Sequence, residues 1–188
     1  MDSSSLSNLV RLIRQLSYRE GDFTLTSGKK SPFYIDLKAT TLHPEGAHWI
    51  GICASELLLK KDWKIQGVGG LTLGADPLAT SISLAAFVKG QIWPAFIVRK
   101  ESKSHGTFKE IEGTENLPVH AQVIVLEDVI TTGKSSLIAI DRLRAAGYHP
   151  LAALAVVDRQ EGGREALQEV GVELISLTTL QEVQAYQR

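Results

Sequence analysis

The stretch Val123 to Ser136, VIVLEDVITTGKSS, constrains the fold of this chain more than any other. Val123–Leu126 is a continuous apolar run without polar alternation. That is the pattern of a strand buried on both faces, and such strands belong to parallel sheets covered by helices. The run delivers Glu127 and Asp128, two carboxylates whose burial is costly unless hydroxyls, cations or water meet them. Thr131, Thr132, Gly133, Lys134 and Ser135 then form a small-residue turn that runs into a helix. Such a turn aims backbone N–H groups and hydroxyls at one spot beside the positive end of the helix dipole, which suits a phosphate. Two acids just ahead of it fit the vicinal hydroxyls of a sugar. Taken alone, the same residues also fit an acidic strand end before an ordinary helix cap. A Walker A loop is excluded, because Asp128 stands where its first glycine is required. A dinucleotide fingerprint starting at Gly67 and Gly69 fails at Thr72.

The rest of the chain alternates in the same sense. Leu6, Leu9, Val10, Ile13 and Leu16 follow helical spacing, with Ser5 or the serines before it as cap. Phe23 to Lys38 reads as short extended pieces around Ser27-Gly28 and Pro32. A second helix starts near Pro44-Glu45, with Ala47, Ile50, Ala54, Leu57 and Leu58 on its buried face. Ile65–Val68 is a predicted strand, Gly69–Pro77 a Gly-rich turn, Leu78–Val88 a helix and Ala95–Arg99 a strand. Ser135–Ala146 is a predicted helix closed by Gly147, Leu151–Val157 a strand, Glu165–Val170 a helix and Leu174–Leu177 a strand, before a terminal helix. The expectation is one α/β domain over residues 1–188, a doubly wound and mainly parallel sheet that takes ligands beyond its strand C-terminal ends. Residues 1–40 form its N-terminal helix and hood. Residues 100–120 are polar and without periodicity, which marks a mobile functional lid or, alternatively, a hairpin.

Charge and cysteine content narrow the classes. Twenty Lys and Arg against 21 Asp and Glu leave a net charge of −1, so no global grip on nucleic acid or an anionic membrane is expected. No apolar run approaches the roughly 20 residues of a membrane span. The N-terminus has neither a basic region nor a continuous apolar one, so a cytoplasmic location is expected. Cys53 is the single cysteine, which excludes an intrachain disulfide or a cysteine-based zinc cluster. His43 and His48 lack zinc spacing and receive no ligand role.

Val123–Ser135 resembles the phosphoribosyl pyrophosphate (PRPP) signature of type I phosphoribosyltransferases. Three further segments, in order along the chain, are similar to the orotate-specific branch of that family. Phe23–Asp36 (FTLTSGKKSPFYID) looks like its base-binding hood, Arg99–Thr107 (RKESKSHGT) like its catalytic loop, and Asp158–Gly163 (DRQEGG) like its orotate-recognising turn. The resemblance implies a type I phosphoribosyltransferase fold and transfer of the 5-phosphoribosyl group from PRPP to orotate, giving orotidine 5′-monophosphate and pyrophosphate in pyrimidine (UMP) synthesis. It implies PRPP contacts at Arg99, Lys100, Lys103, His105, Glu127, Asp128, Val129, Ile130, Thr131, Thr132, Gly133, Lys134 and Ser135. Lys103, His105 and Asp128 are the expected catalytic residues, and Tyr34, Ile35, Thr131 and Arg159 the expected orotate contacts. Mg²⁺ is expected as cofactor, held through substrate and water with no direct protein ligand. A homodimer is expected, in which Lys103 and His105 reach the neighbouring subunit's site.

Each segment keeps a plainer reading beside this one. The KESK run fits a solvated charged face, and Arg159 fits an arginine paired with a neighbouring acid. Some branches of the family carry lysine where this chain has Thr26, and Tyr-Lys in the loop where Leu73 precedes Gly74. Cationic help from those places is absent here, so backbone N–H groups of Gly70–Gly74 must serve, with Asp76 acting through water and Mg²⁺. Two rivals share the signature. A transferase for another nucleobase leaves the hood, the SKSHG loop and DRQEGG unexplained. A PRPP-sensing regulator has no need of Lys103 and His105.

Overall fold

A computed structural model of the chain describes residues 3–24, 28, 30–100 and 110–186. In chain order the elements are α1 (Ser3–Leu12), which ends in a single π turn (Ile13–Ser17), β1 (Tyr18–Thr24), β2 (Lys30–Ile35), α2 (Lys38–Thr41), α3 (Pro44–Leu59), β3 (Gly67–Leu71), α4 (Ala75–Val88), β4 (Ala95–Val98), β5 (Ile111–Glu112), β6 (Gln122–Ile130), α5 (Lys134–Ala145), β7 (His149–Asp158), α6 (Gly163–Glu169), β8 (Glu173–Thr179) and α7 (Leu180–Ala185). Six strands form one sheet in the order β5-β4-β3-β6-β7-β8, all parallel except β5 at the edge. β1 and β2 make a separate antiparallel pair, the hood.

The apolar run at the centre behaves as its composition requires. Ile124 and Leu126 face one core with α1, α3, α4 and α7, while Val123 and Val125 face a second core with α5 and α6. The strand is therefore buried on both faces, and polar alternation has no place in it. β6 runs four residues past the apolar run, so Glu127 and Asp128 lie inside a strand rather than after one.

The topology decides where a ligand fits. From β3 the chain steps outward to β4. From β6 it steps the other way, to β7 and then β8. β3 and β6 are neighbours, so a crevice opens between their C-terminal ends, flanked by the turns at Thr72–Gly74 and Thr131–Gly133.

β3 departs from the sequence reading. β3 begins at Gly67 and ends at Leu71, so Gly69 and Gly70 are strand and the turn shrinks to Thr72–Gly74. α4 accordingly starts at Ala75, with Pro77 in its first turn. Glycine is a poor strand former, and the reason for it is tertiary. A Cβ at Gly69 would run into the carbonyl of Phe96 on β4, and one at Gly70 into the carbonyl of Leu126 on β6. Of the polar stretch after Lys100, Ile111–Glu112 pairs antiparallel with Ile97–Val98, and a 3₁₀ turn follows at Thr114–Asn116.

Gly69→Ala should therefore destabilise the fold by about 1–3 kcal/mol, because the obstacle is backbone that cannot swing aside. A urea midpoint unchanged from wild type would contradict this packing.

Candidate active site

The crevice is built around the end of β6. Glu127 sits with its carboxylate accepting a hydrogen bond from the Ser136 hydroxyl at 3.1 Å, on the first turns of α5. Burial, and then the charge of Asp128, push the Glu127 pKa up to about 8, against the opposing pull of Ser136 and Lys100. At neutral pH Glu127 is thus mostly protonated beside Asp128. Asp128 Oδ1 accepts from the backbone N–H of Val129 at 2.8 Å. The turn after β3 closes on the same carboxylate, since a Cβ at Gly74 would stand 2.8 Å from Asp128 Oδ1. Both turns of the crevice therefore meet at this acid pair.

The turn into α5 has the helix-entry form its sequence predicts. Gly133 is the N-cap of α5 at φ 79°, in the left-handed region that glycine tolerates. The first N–H groups of the helix have no intrahelical partner, and Gly133 offers no side chain to bond them. Thr132 and Lys134 are exposed, and Thr131 and Ser135 half-buried. Val129 and Ile130 turn their side chains into the two cores, so only their backbone faces the crevice.

The turn after β7 lies edge to edge with this one. The Arg159 N–H donates to the Ile130 carbonyl at 3.0 Å, and a Cβ at Gly133 would sit 3.3 Å from the Gly163 carbonyl oxygen. The Arg159 guanidinium is held by Glu161, with Nη2 2.6 Å from Oε1, and lies 5.4 Å from the centre of the Phe33 ring. Arg159 is thus paired with a neighbouring acid. Asp158 touches Arg164 instead, at 3.3 Å, and accepts from the Gln160 N–H at 2.7 Å, which stiffens the turn.

Phe33 escaped the sequence reading. Alternation along β2 places Ser31 and Phe33 inward with Ile35, while Tyr34 is exposed and tilts against Phe23, ring centres 5.6 Å apart. Lys38 escaped it too. It forms an ion pair with Asp36 at 2.7 Å, and that hydrogen bond, with the charges of Asp36, Asp128 and Tyr34, holds its pKa above the usual lysine range. The signal for Lys38 was available as a cation directly after the hood, and nothing local tied it to Asp128.

Beyond Gly74 the crevice widens into a cavity of about 410 Å³ lined by Thr72, Asp76, Ile97, Arg99, Lys100 and Glu112. The Thr72 hydroxyl donates to Asp76 Oδ2 at 2.7 Å, and Asp76 Oδ1 is buried without a hydrogen-bond partner among the described residues. Arg99 pairs with Glu112 at 2.6 Å, and Lys100 is exposed. Lys103, His105 and Thr26 lie outside the described residues. Among the described residues no group of three His, Cys, Asp or Glu side chains is placed to hold a metal ion. The oxygens present, Asp128 and the unpartnered Asp76 Oδ1, fit a hard cation that takes most of its ligands from substrate and water.

No protein-family model matches the chain. An orotate phosphoribosyltransferase of Nostoc sp. is 49% identical over 176 residues, covering 94% of this chain and 84% of the relative. Among solved structures, orotate phosphoribosyltransferase of Mycobacterium tuberculosis in complex with Fe(III) dicitrate superposes with a TM-score of 0.84 at 39% identity, over 95% of this chain and 98% of that one. The same enzyme in complex with PRPP gives a TM-score of 0.80 at 36% identity, over 96% and 99%.

The raised pKa of Glu127 has a thermodynamic consequence. Between the ordinary glutamate value of 4.5 and about 8, the folded protein holds a proton that the unfolded chain gives up. This group therefore costs stability progressively as pH rises through that window. Glu127→Gln should lose less thermal stability than wild type between pH 5 and pH 8 without ligand. Parallel melting curves for the two proteins would refute the buried acid pair.

Proposed function

The chain belongs to the orotate phosphoribosyltransferase family, with the type I phosphoribosyltransferase fold, and transfers the 5-phosphoribosyl group of PRPP to orotate; from that premise we propose how its residues share the work. The observation that carries the assignment of roles is the contact between the two turns, Ile130 carbonyl to Arg159 N–H, which sets an arginine fork beside a phosphate cradle.

Thr131–Ser135 hold the 5′-phosphate on the N–H groups that open α5, and Glu127 with Asp128 hold the ribose hydroxyls. The Arg159 fork takes the orotate carboxylate with two parallel hydrogen bonds, which a lysine cannot reproduce. Thr131, with Tyr34 and Ile35 from the hood, bounds the base. As the C1–O bond to pyrophosphate breaks and the C1–N1 bond forms, the departing electron pair leaves with the pyrophosphate, and the proton of orotate N1 is given up to water. Arg99, Lys100, Lys103 and His105 neutralise it, and Asp128 steadies the positive charge that develops on the ribose. When bound with PRPP, Mg²⁺ supplies further neutralisation of the diphosphate, held by Asp128 and Asp76 through water. The protein does little covalent chemistry, and its contribution is positioning.

The sites are shared across a homodimer, with Lys103 and His105 serving the neighbouring subunit. What supports this is an apolar face beside the crevice. Leu73, Leu84, Phe87 and Val88 are all strongly exposed, and α3 and α4 enclose a cavity of about 610 Å³ lined by His48, Ile52, Leu84 and Val88. Among the described residues no helix is long and apolar enough to cross a membrane, and we place the activity in the cytoplasm.

The test is orotate near-UV absorbance after addition of protein, PRPP and Mg²⁺, with uracil, hypoxanthine and adenine run in parallel. Orotate is expected to be consumed only when both PRPP and Mg²⁺ are present. Activity on another base instead would reduce Arg159 to a structural ion pair. Lys103→Ala should lower turnover by roughly 10²-fold or more. Near-normal turnover in that variant would sink its role. Mixing inactive Lys103→Ala and Arg159→Ala subunits should restore roughly a quarter of the sites, one intact site in each mixed dimer. No recovery, with mixed dimers demonstrated, would place each site within one chain.

A further inference from the structure

α5 begins at the phosphate turn and carries two arginines in its last turn, Arg142 and Arg144. Arginine at that place ordinarily complements the negative end of the helix dipole. Arg144 also donates to the Val170 carbonyl at 2.8 Å, bracing α5 against the end of α6. Arg142 reaches the other way. Its guanidinium donates to the carbonyl of Arg99 and, at 3.0 Å, to that of Lys100. Its Nε lies 3.8 Å from Glu110 Oε1. Arg99 and Glu110 are themselves joined, Arg99 N–H to Glu110 carbonyl at 2.9 Å. One side chain, 21% exposed, thus grips the two residues before position 101 and the residue after position 109.

We propose that Arg142 is a positioning residue for the pyrophosphate-side cations, fixing the backbone of Arg99 and Lys100 relative to the phosphate turn at the other end of its own helix. The proposal rests on the reading of Arg99–His105 given above. A planar guanidinium on two successive carbonyls sets the orientation of the peptide between them as well as its place, whereas a lysine ammonium holds a carbonyl as a point charge. The helix supplies the ruler, since its 12 residues form a rigid rod about 18 Å long. The charge of Arg142 is spent on carbonyls and Glu110, so it acts through Arg99 and Lys100 and touches no substrate. Nothing in the sequence marked it, because a helix-ending arginine is common and its target lies 42 or 43 residues away.

Steady-state kinetics of Arg142→Met, Arg142→Lys and Arg144→Met, with orotate affinity and thermal melting measured on each, test the assignment. Arg142→Met should lower kcat about 10- to 100-fold and raise the KM for PRPP, with orotate affinity unchanged. Arg142→Lys should fall between it and wild type. Arg144→Met should lose a similar amount of thermal stability with wild-type kinetics. Wild-type kinetics in Arg142→Met or Arg142→Lys overturn the proposal, as does an equal loss of kcat in Arg144→Met, which would make the effect one of helix stability. Should Arg142→Met fail to fold, the lysine variant decides alone. Lys103→Ala, assayed alongside, separates the two readings. An inactive Lys103→Ala beside a normal Arg142→Met overturns only the role of Arg142, and a fully active Lys103→Ala overturns both.

Discussion

Two carboxylates at the end of a buried strand are a costly arrangement, and much of the site is organised around tolerating them. Glu127 keeps a proton because burial and Asp128 make its charge unfavourable. Ser136 donates to it from α5, and Lys100 contributes a distant cation. Gly74 has no side chain because Asp128 occupies that volume. None of these contacts removes the cost. They leave a pair of acids whose needs are met fully only by hydroxyls and cations from outside, which is the chemistry of a ribose carrying phosphates.

The sheet makes this pair accessible through its topology. β6 registers with β3 only from Val123 to Val125, while its pairing with β7 continues to Ile130. The last part of β6 is therefore bare on one edge, facing the crevice. On the other edge it is bound to β7, whose final residues lead directly into Arg159. The turns after β6 and β7, which we assign to the phosphate and to the orotate carboxylate, are consequently adjacent strand ends on one rigid sheet. The hood completes the enclosure through Phe33, which lies over the Arg159 guanidinium and stacks on Tyr18 with ring centres 5.8 Å apart.

What could be read in the chain follows from how local each cause is. The strand, turn and helix from Val123 to Ser136 were legible because a doubly buried strand, an acid pair and a Thr-Thr-Gly helix entry are each written in contiguous residues. The start of α3 at Pro44 was legible for the same reason. The end of β3 was not. Gly69 and Gly70 look like turn residues, and what makes them strand is the approach of Phe96 and Leu126, 27 and 56 positions away, whose carbonyls leave no room for a Cβ. Phe33, Lys38 and Arg142 were missed on similar grounds, since each is an ordinary residue for its element until its distant partner is known. The resemblance supplied roles for Arg99, Lys103 and His105, but it could not supply the device that holds the first of them in place.

The distribution of cations across the site follows from where charge moves during the reaction. In the roles proposed above, the ribose and its 5′-phosphate stay put and are met by backbone N–H groups and acids on the rigid end of the sheet. The pyrophosphate departs with the electron pair, and its proposed cations begin at Arg99, directly after β4, the strand beside the edge strand β5. Thr26 and Leu73 stand where some branches of the family carry cations, and in the proposed reading Arg99 and the residues after it take that part of the neutralisation. A segment carrying so much of the neutralising charge needs a defined origin. Arg99 bonded to Glu112 fixes one side of that origin, and the backbone pairing of β4 with β5 fixes another. The grip of Arg142 ties both to α5, the helix whose first turn we assign to the phosphate, so the origin of that segment is fixed to the same rigid frame.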